Sequence, residues 1–180
     1  MPNWCEVAYR IEGDKQTLKK IMKAAKNHKV RENSSEDWLG NVLDALKIDF
    51  SKYSYMRGFL LEPPLWDEDT LIINTDEAWS RTDFAEALED NLPVTVYWIA
   101  EEPGCEIYET NDSDGKYFTE KYLVEYCLDG NIESEYFDDE ASAYKFIESF
   151  GCKTTEDIDK YNEENYDKGN YISFHEFQVV

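Results

Sequence analysis

The strongest constraint on the fold is the order in which the hydrophobic period changes along the first hundred residues. Over residues 3–12, Cys5, Val7, Tyr9 and Ile11 alternate with Glu6, Ala8, Arg10 and Glu12, the period of two that marks a half-buried strand. Gly13-Asp14 breaks that strand, and Asp14 is placed to cap a helix. Leu18, Ile21, Met22 and Ala25 then recur at helical spacing with lysines opposite them. Ser34-Ser35 opens a second apolar helical stripe, at about residues 35–47, through Trp38, Leu39, Val42, Leu43 and Leu46. Residues 57–61 form a short apolar strand stopped by Pro63-Pro64, and residues 71–75 form another. Residues 80–91 read as a helix with Phe84, Ala85, Leu88 and Leu92 on one side, stopping at 91–93. Residues 94–100 are apolar in both alternating sets, as in a strand covered on both faces. Strand, helix, extra helix, strand, strand, helix, strand is the split βαβ order. It predicts an α+β, ferredoxin-like core over residues 1–110, an antiparallel sheet with helices on one face.

Residues 111–180 differ in composition. All five Trp and all five Pro lie at or before residue 103, whereas eight of the 13 Tyr lie at or after residue 117. Asp129-Gly130 is a two-residue hairpin signal between strands over 117–128 and 132–137. A helix over 139–150 follows, with Ala143, Tyr144, Ile147 and Phe150 inward and Gly151 at its end. A short acidic helix over 155–167 and a final strand over 171–180 complete an acidic, Tyr-rich β-hairpin/helix extension, expected to pack on the core.

Charge narrows the partners. The chain holds 40 acidic and 18 basic residues, a net charge of −22. Residues 1–60 carry 8 acidic and 11 basic side chains, and residues 61–180 the remaining 32 and 7, so the two parts stand at +3 and −25. Such a surface repels nucleic acid and attracts basic proteins. The expectation is therefore a basic protein partner and no direct nucleic-acid binding. With 42% hydrophobic and 15% aromatic residues the chain is not a disordered one. No apolar run reaches the ~20 residues that span a bilayer, and the polar opening lacks a signal-peptide core, which predicts a cytoplasmic protein without membrane attachment. Cys5, Cys105, Cys127 and Cys152 form no CxxC pair and read as buried, reduced thiols, with neither disulfides nor a four-cysteine zinc site.

No motif announces a reaction. GxSxG, HExxH, P-loop and GxGxxG signatures are missing from the sequence. His28 and His175 are the only histidines, and each reads as ordinary surface placement. Asp112 and Asp114, in Asn111-Asp112-Ser113-Asp114-Gly115, suggest a calcium loop, but the position that should hold the closing bidentate glutamate is Lys121. Turn chemistry explains the same residues. No catalytic, cofactor or metal residues are assigned, and the chain is read as a non-enzymatic interaction protein. Two alternatives carry their own signatures. The excess of 25 charges matches about 42 Å of duplex, so an acidic DNA mimic that inhibits a basic nucleic-acid-binding protein fits by size. A carboxylate-based hydrolase would need two carboxyl groups with raised pKa values in one pocket.

Three short stretches go beyond periodicity: Met1-Pro2-Asn3-Trp4-Cys5 at the start, Ala78-Trp79-Ser80 before a helix, and Glu101-Glu102-Pro103-Gly104-Cys105 after the next strand. Together they resemble the YubB/phage-derived ferredoxin-like family of unknown function, found on plasmids, phages and conjugative elements. The resemblance covers roughly residues 1–110. Where the family continues after the cysteine with an Asn-containing strand, this chain has Glu6-Val7-Ala8, and Arg81-Thr82 stands where prolines often follow Trp-Ser. It implies a mobile-element setting and a ferredoxin-like fold, and it transfers no active site. Trp4, Cys5, Trp79 and Cys105 are the motif residues, expected at strand ends and helix starts where they would pack together.

Overall fold

The computed structural model describes residues 3–30, 32, 34–53, 56–78 and 82–180. The chain is mixed α+β with mostly antiparallel pairing, divided into two compact units, residues 1–112 with Val180, and residues 113–179.

In the first unit, β1 (Trp4–Gly13), α1 (Lys15–Lys26), α2 (Leu39–Leu46), β2 (Gly58–Leu60), β3 (Leu65–Asp67), β4 (Thr70–Ala78), α3 (Asp83–Asn91), β5 (Val94–Glu102) and β6 (Ile107–Thr110) follow in order. The sheet includes the order β6-β5-β1-β4-β2, with β3 also on β4, and these pairings are antiparallel. Cys5, Val7, Tyr9 and Ile11 are fully buried, as their alternation predicts, and they face Leu18 and Ile21 of α1, Leu39 and Leu43 of α2, and Phe84 and Leu88 of α3 in one cluster. The Asp14 carboxylate caps α1 by accepting from the amides of Gln16 and Thr17, which holds it below the ordinary aspartate range through its bonds to Thr17 first.

Several boundaries differ from the sequence reading. The second helix starts at Leu39, not near Ser34-Ser35, because Trp38 is extended and forms a β-bridge with Phe59. The serines are used instead around Asn41, which receives the Ser34 hydroxyl and donates to the Ser35 carbonyl. β4 extends three residues past Thr75, since Asp76, Glu77 and Ala78 stay in register with Glu6, Cys5 and Trp4. β3 was not anticipated: its three residues are all exposed, so no burial pattern announces it. Residues 79–81, at the expected start of the helix that forms α3, lie outside the described residues.

In the second unit, β7 (Tyr122–Leu128), β8 (Asn131–Phe137), α4 (Glu140–Ile147), α5 (Thr155–Asn165) and β9 (Tyr171–Glu176) build a sheet of order β8-β7-β9. Its core gathers Val124, Ala143, Ile147, Cys152, Ile158 and Ile172, edged by Tyr126, Phe146 and Phe150. Asp129 and Gly130 both take positive φ, 52° and 83°, as a two-residue hairpin turn requires. The expected strand over 171–180 ends at Glu176 and resumes only as Gln178–Val179. Thr154 and Asp157 form a reciprocal capping box at α5. Thr154→Ala is expected to cost about 1 kcal/mol, read as a lower urea midpoint with an unchanged m-value; no change in midpoint would show that the box contributes nothing.

Candidate functional site

Of the three motif stretches, the described residues, 3–5, Ala78 and 101–105, lie at one end of the first unit's sheet. Register places Trp4 opposite Ala78 and Cys5 opposite Glu77, and the side-chain amide of Asn3 donates to the Cys105 sulfur in the turn after β5. Trp4 and Cys5 point to opposite faces. Cys5 is fully buried in the core, while the Trp4 ring packs 5.4 Å from that of Phe59 and stays 41% exposed. Trp79 lies outside the described residues. Cys105 is exposed, so the expectation of a buried thiol fails there; Cys5, Cys127 and Cys152 are buried, and none of the four is in a disulfide. The Cys105 thiol is pushed up chiefly by its hydrogen bond with Glu102.

Beside Cys5 stands a group that the sequence did not single out. Glu77 is 2% exposed inside the core. Its Oε1 accepts from the Tyr9 hydroxyl at 2.5 Å and from the Thr75 hydroxyl at 2.9 Å. Burial pushes the Glu77 carboxyl up to about 8, against the lowering effect of those two bonds. The same burial, with Glu77 alongside, raises Tyr9 well above its ordinary value. Near neutral pH the cluster is therefore a neutral carboxylic acid held by two hydroxyls. Gly58, opposite Glu77 on β2, makes room for it: a Cβ there would sit 2.8 Å from Glu77 Cγ and 2.6 Å from Leu39 Cδ1. The signal available in the sequence was phase, because Leu71, Ile73, Thr75 and Glu77 share one strand face.

Glu102 is the second buried carboxyl at this end, 5% exposed, and its Oε2 has no hydrogen-bond partner among the described residues. Neither Glu77 nor Glu102 lines either of two clefts found among the described residues of this unit. One, of about 520 Å³, lies between Lys15 and Lys19 of α1 and Trp66, Glu68 and Asp69; the other, of about 440 Å³, lies between His28 and residues 60–63. His28 is tied to backbone carbonyls, Nδ1 to Ala24 and Nε2 to Glu36. His175 lies in β9. Asp112 is buried and its amide donates to the Thr110 hydroxyl, whereas Asp114 is exposed. Gly115 takes φ +64°, as a turn at this segment requires. Among the described residues, no group of three or more His, Cys, Asp or Glu is arranged to hold a metal ion. Also among them, no helix is long and apolar enough to cross a membrane.

Both units expose clusters of carboxylates. In the first, Glu62, Asp67, Glu68 and Asp69 are exposed around β3, where Arg10 pairs with Asp67 at 2.7 Å. In the second, Glu133 and Glu135 of β8 and Glu156, Asp159, Glu163 and Glu164 of α5 are exposed. Compared with protein-family models, with curated proteins and with solved structures, the chain matches none.

Proposed function

We propose that this is a non-enzymatic accessory protein of a bacterial mobile element, acting in the cytoplasm by taking a basic protein partner onto its acidic surface. The observation that carries this reading is the charge balance. With 40 acidic against 18 basic residues, at least 22 carboxyl groups have no cation of the chain to match them one to one. Surface charge of one sign raises encounter rates with partners of the other and turns away nucleic acid. The mobile-element setting rests on the resemblance of the motif stretches. The same reading takes the first unit as a ferredoxin-like split βαβ core. Supporting this are the antiparallel order β5-β1-β4-β2 and the placement of α1 between β1 and β2 in sequence and α3 between β4 and β5.

Affinity capture of the tagged protein from its host, followed by mass spectrometry at low and high ionic strength, tests the reading. A stoichiometric basic partner, retained at low salt and released at high salt, is expected. Addition of duplex DNA separates two versions: DNA that displaces the partner assigns the acidic surface to DNA mimicry, and DNA that does not leaves a plain interaction protein. Recovery of no basic partner would overturn both.

A further inference from the structure

We propose that the free edge of β8 takes up an extended, basic segment of a partner protein as an additional antiparallel strand. This rests on the reading of the protein as a binder of basic partners and gives that binding a place and a geometry.

β8 pairs with β7 and with no other strand among the described residues. It is a regular edge, with seven consecutive residue pairs from Tyr122 opposite Phe137 to Leu128 opposite Asn131. Asn162 takes up both the amide and the carbonyl of Ile172, the residue opposite Tyr126, so Ile172 and Tyr126 do not bond each other. With the register of β7 against β9, this points the odd residues of β7 toward β9 and the even ones toward β8. On β8 the odd residues therefore bond to β7, and the backbone groups of Ile132 and Ser134 point outward. Edges of this kind template strand addition unless they are blunted by proline, lysine, a bulge or a cover. β8 has no proline and no lysine, and its six residues from Asn131 to Tyr136 are all exposed. Elsewhere an asparagine takes the place of a strand, at the edge of β9 and along the part of β5 that β6 does not reach. Asn162 bonds both the amide and the carbonyl of Ile172 on β9, and Asn111 bonds the Trp98 amide and the Val96 carbonyl on β5.

The side chains of β8 select the occupant. Ile132 is 63% and Tyr136 45% exposed on one face, and Glu133 and Glu135 project from the other. A strand laid alongside would set its residues directly opposite these. Alternating lysine and small apolar residues would match the carboxylates on one face and the apolar side chains on the other. That is the chemistry of a basic, extended polypeptide.

The test uses the full chain and a synthetic seven-residue peptide of alternating lysine and valine or threonine. A control peptide has the same charge but a central proline. The alternating peptide is expected to bind and to slow hydrogen exchange at the amides of Ile132 and Ser134. The control should bind at least about tenfold more weakly, because it cannot complete the ladder. Ser134→Pro removes only an outward amide, a position where an edge strand tolerates proline, and should weaken the peptide by a similar factor. Glu133→Gln with Glu135→Gln should weaken it and flatten its salt dependence. Equal binding of the two peptides, or protection elsewhere, would overturn strand addition while leaving the basic-partner reading standing. No binding of either peptide would also overturn it, with the capture experiment deciding the wider reading separately. Self-association abolished by Ser134→Pro would overturn it by assigning the edge to a second copy. Should Ser134→Pro not fold, the peptide pair and the exchange measurement on the unaltered chain carry the test.

Discussion

Glu77→Gln is expected to remove most of a steep loss of stability between about pH 4.5 and pH 8. The folded carboxyl titrates at about 8 and its reference value is 4.5. Below 4.5 both folded and unfolded states hold the proton, and the burial involves no charge. Between the two values the unfolded chain releases the proton while the folded one keeps it, so stability falls as pH rises. Above 8 the folded state ionises as well and the loss levels off. At ~1.4 kcal/mol per pH unit across that interval, the loss comes to roughly 5 kcal/mol, comparable to the whole stability of many domains. Glutamine keeps the oxygen that accepts from Tyr9 and Thr75 and cannot ionise. Urea midpoints of the two proteins should therefore lie close together near pH 4.5 and diverge toward pH 8.5, with the glutamine variant the more stable. The other carboxylates are common to both, so the difference reports Glu77. Parallel midpoint curves would show that Glu77 is not neutral in the fold.

Phe84→Ala is expected to cost about 3–5 kcal/mol, the range for removing a fully buried aromatic ring. Phe84 is 0% exposed on α3 and packs edge-to-face with the Tyr9 ring, the centroids 5.8 Å apart. The void would lie beside the Tyr9–Glu77 pair, so the substitution should also ease the burial of the carboxyl and shrink its pH-dependent loss. A double-mutant cycle with Glu77→Gln, followed by urea unfolding at pH 5 and pH 8.5, measures that coupling. A cost below about 1 kcal/mol would show that the core closes around the missing ring. Additivity at both pH values would show that Phe84 does not shield Glu77.

Local chemistry made much of the architecture legible. Cys5, Val7, Tyr9 and Ile11 alternate so regularly that the sheet side of the core followed from them. The acid at position 14 announced the start of α1, and Asp129-Gly130 announced a turn that needs two positive φ angles. Where the sequence misled, a distant contact had taken over a local preference. Trp38 is held extended by its bridge to Phe59 and delays α2 past the serines that could have begun it. β3 forms because β4 offers an edge to Leu65–Asp67, not because those residues hide an apolar face.

The candidate site shows the same division. Asp76-Glu77 looks like a pair of surface charges, because a strand's own residues do not reveal how far its ladder extends or which face is covered. Pairing with Trp4 and Cys5 carries β4 on to Ala78, and helix packing over that face turns Glu77 into a buried acid. The edge of β8 is equally silent in sequence, since a hairpin's two strands look alike until a third chooses one of them. By itself, then, the sequence determined the periods, caps, turn and charge excess, all of which depend on neighbours within a few residues. Only the tertiary structure decided that β9 pairs with β7 and leaves β8 open, and that Glu77 is neutral, because both depend on segments remote in sequence that exclude water from one surface and leave it at another.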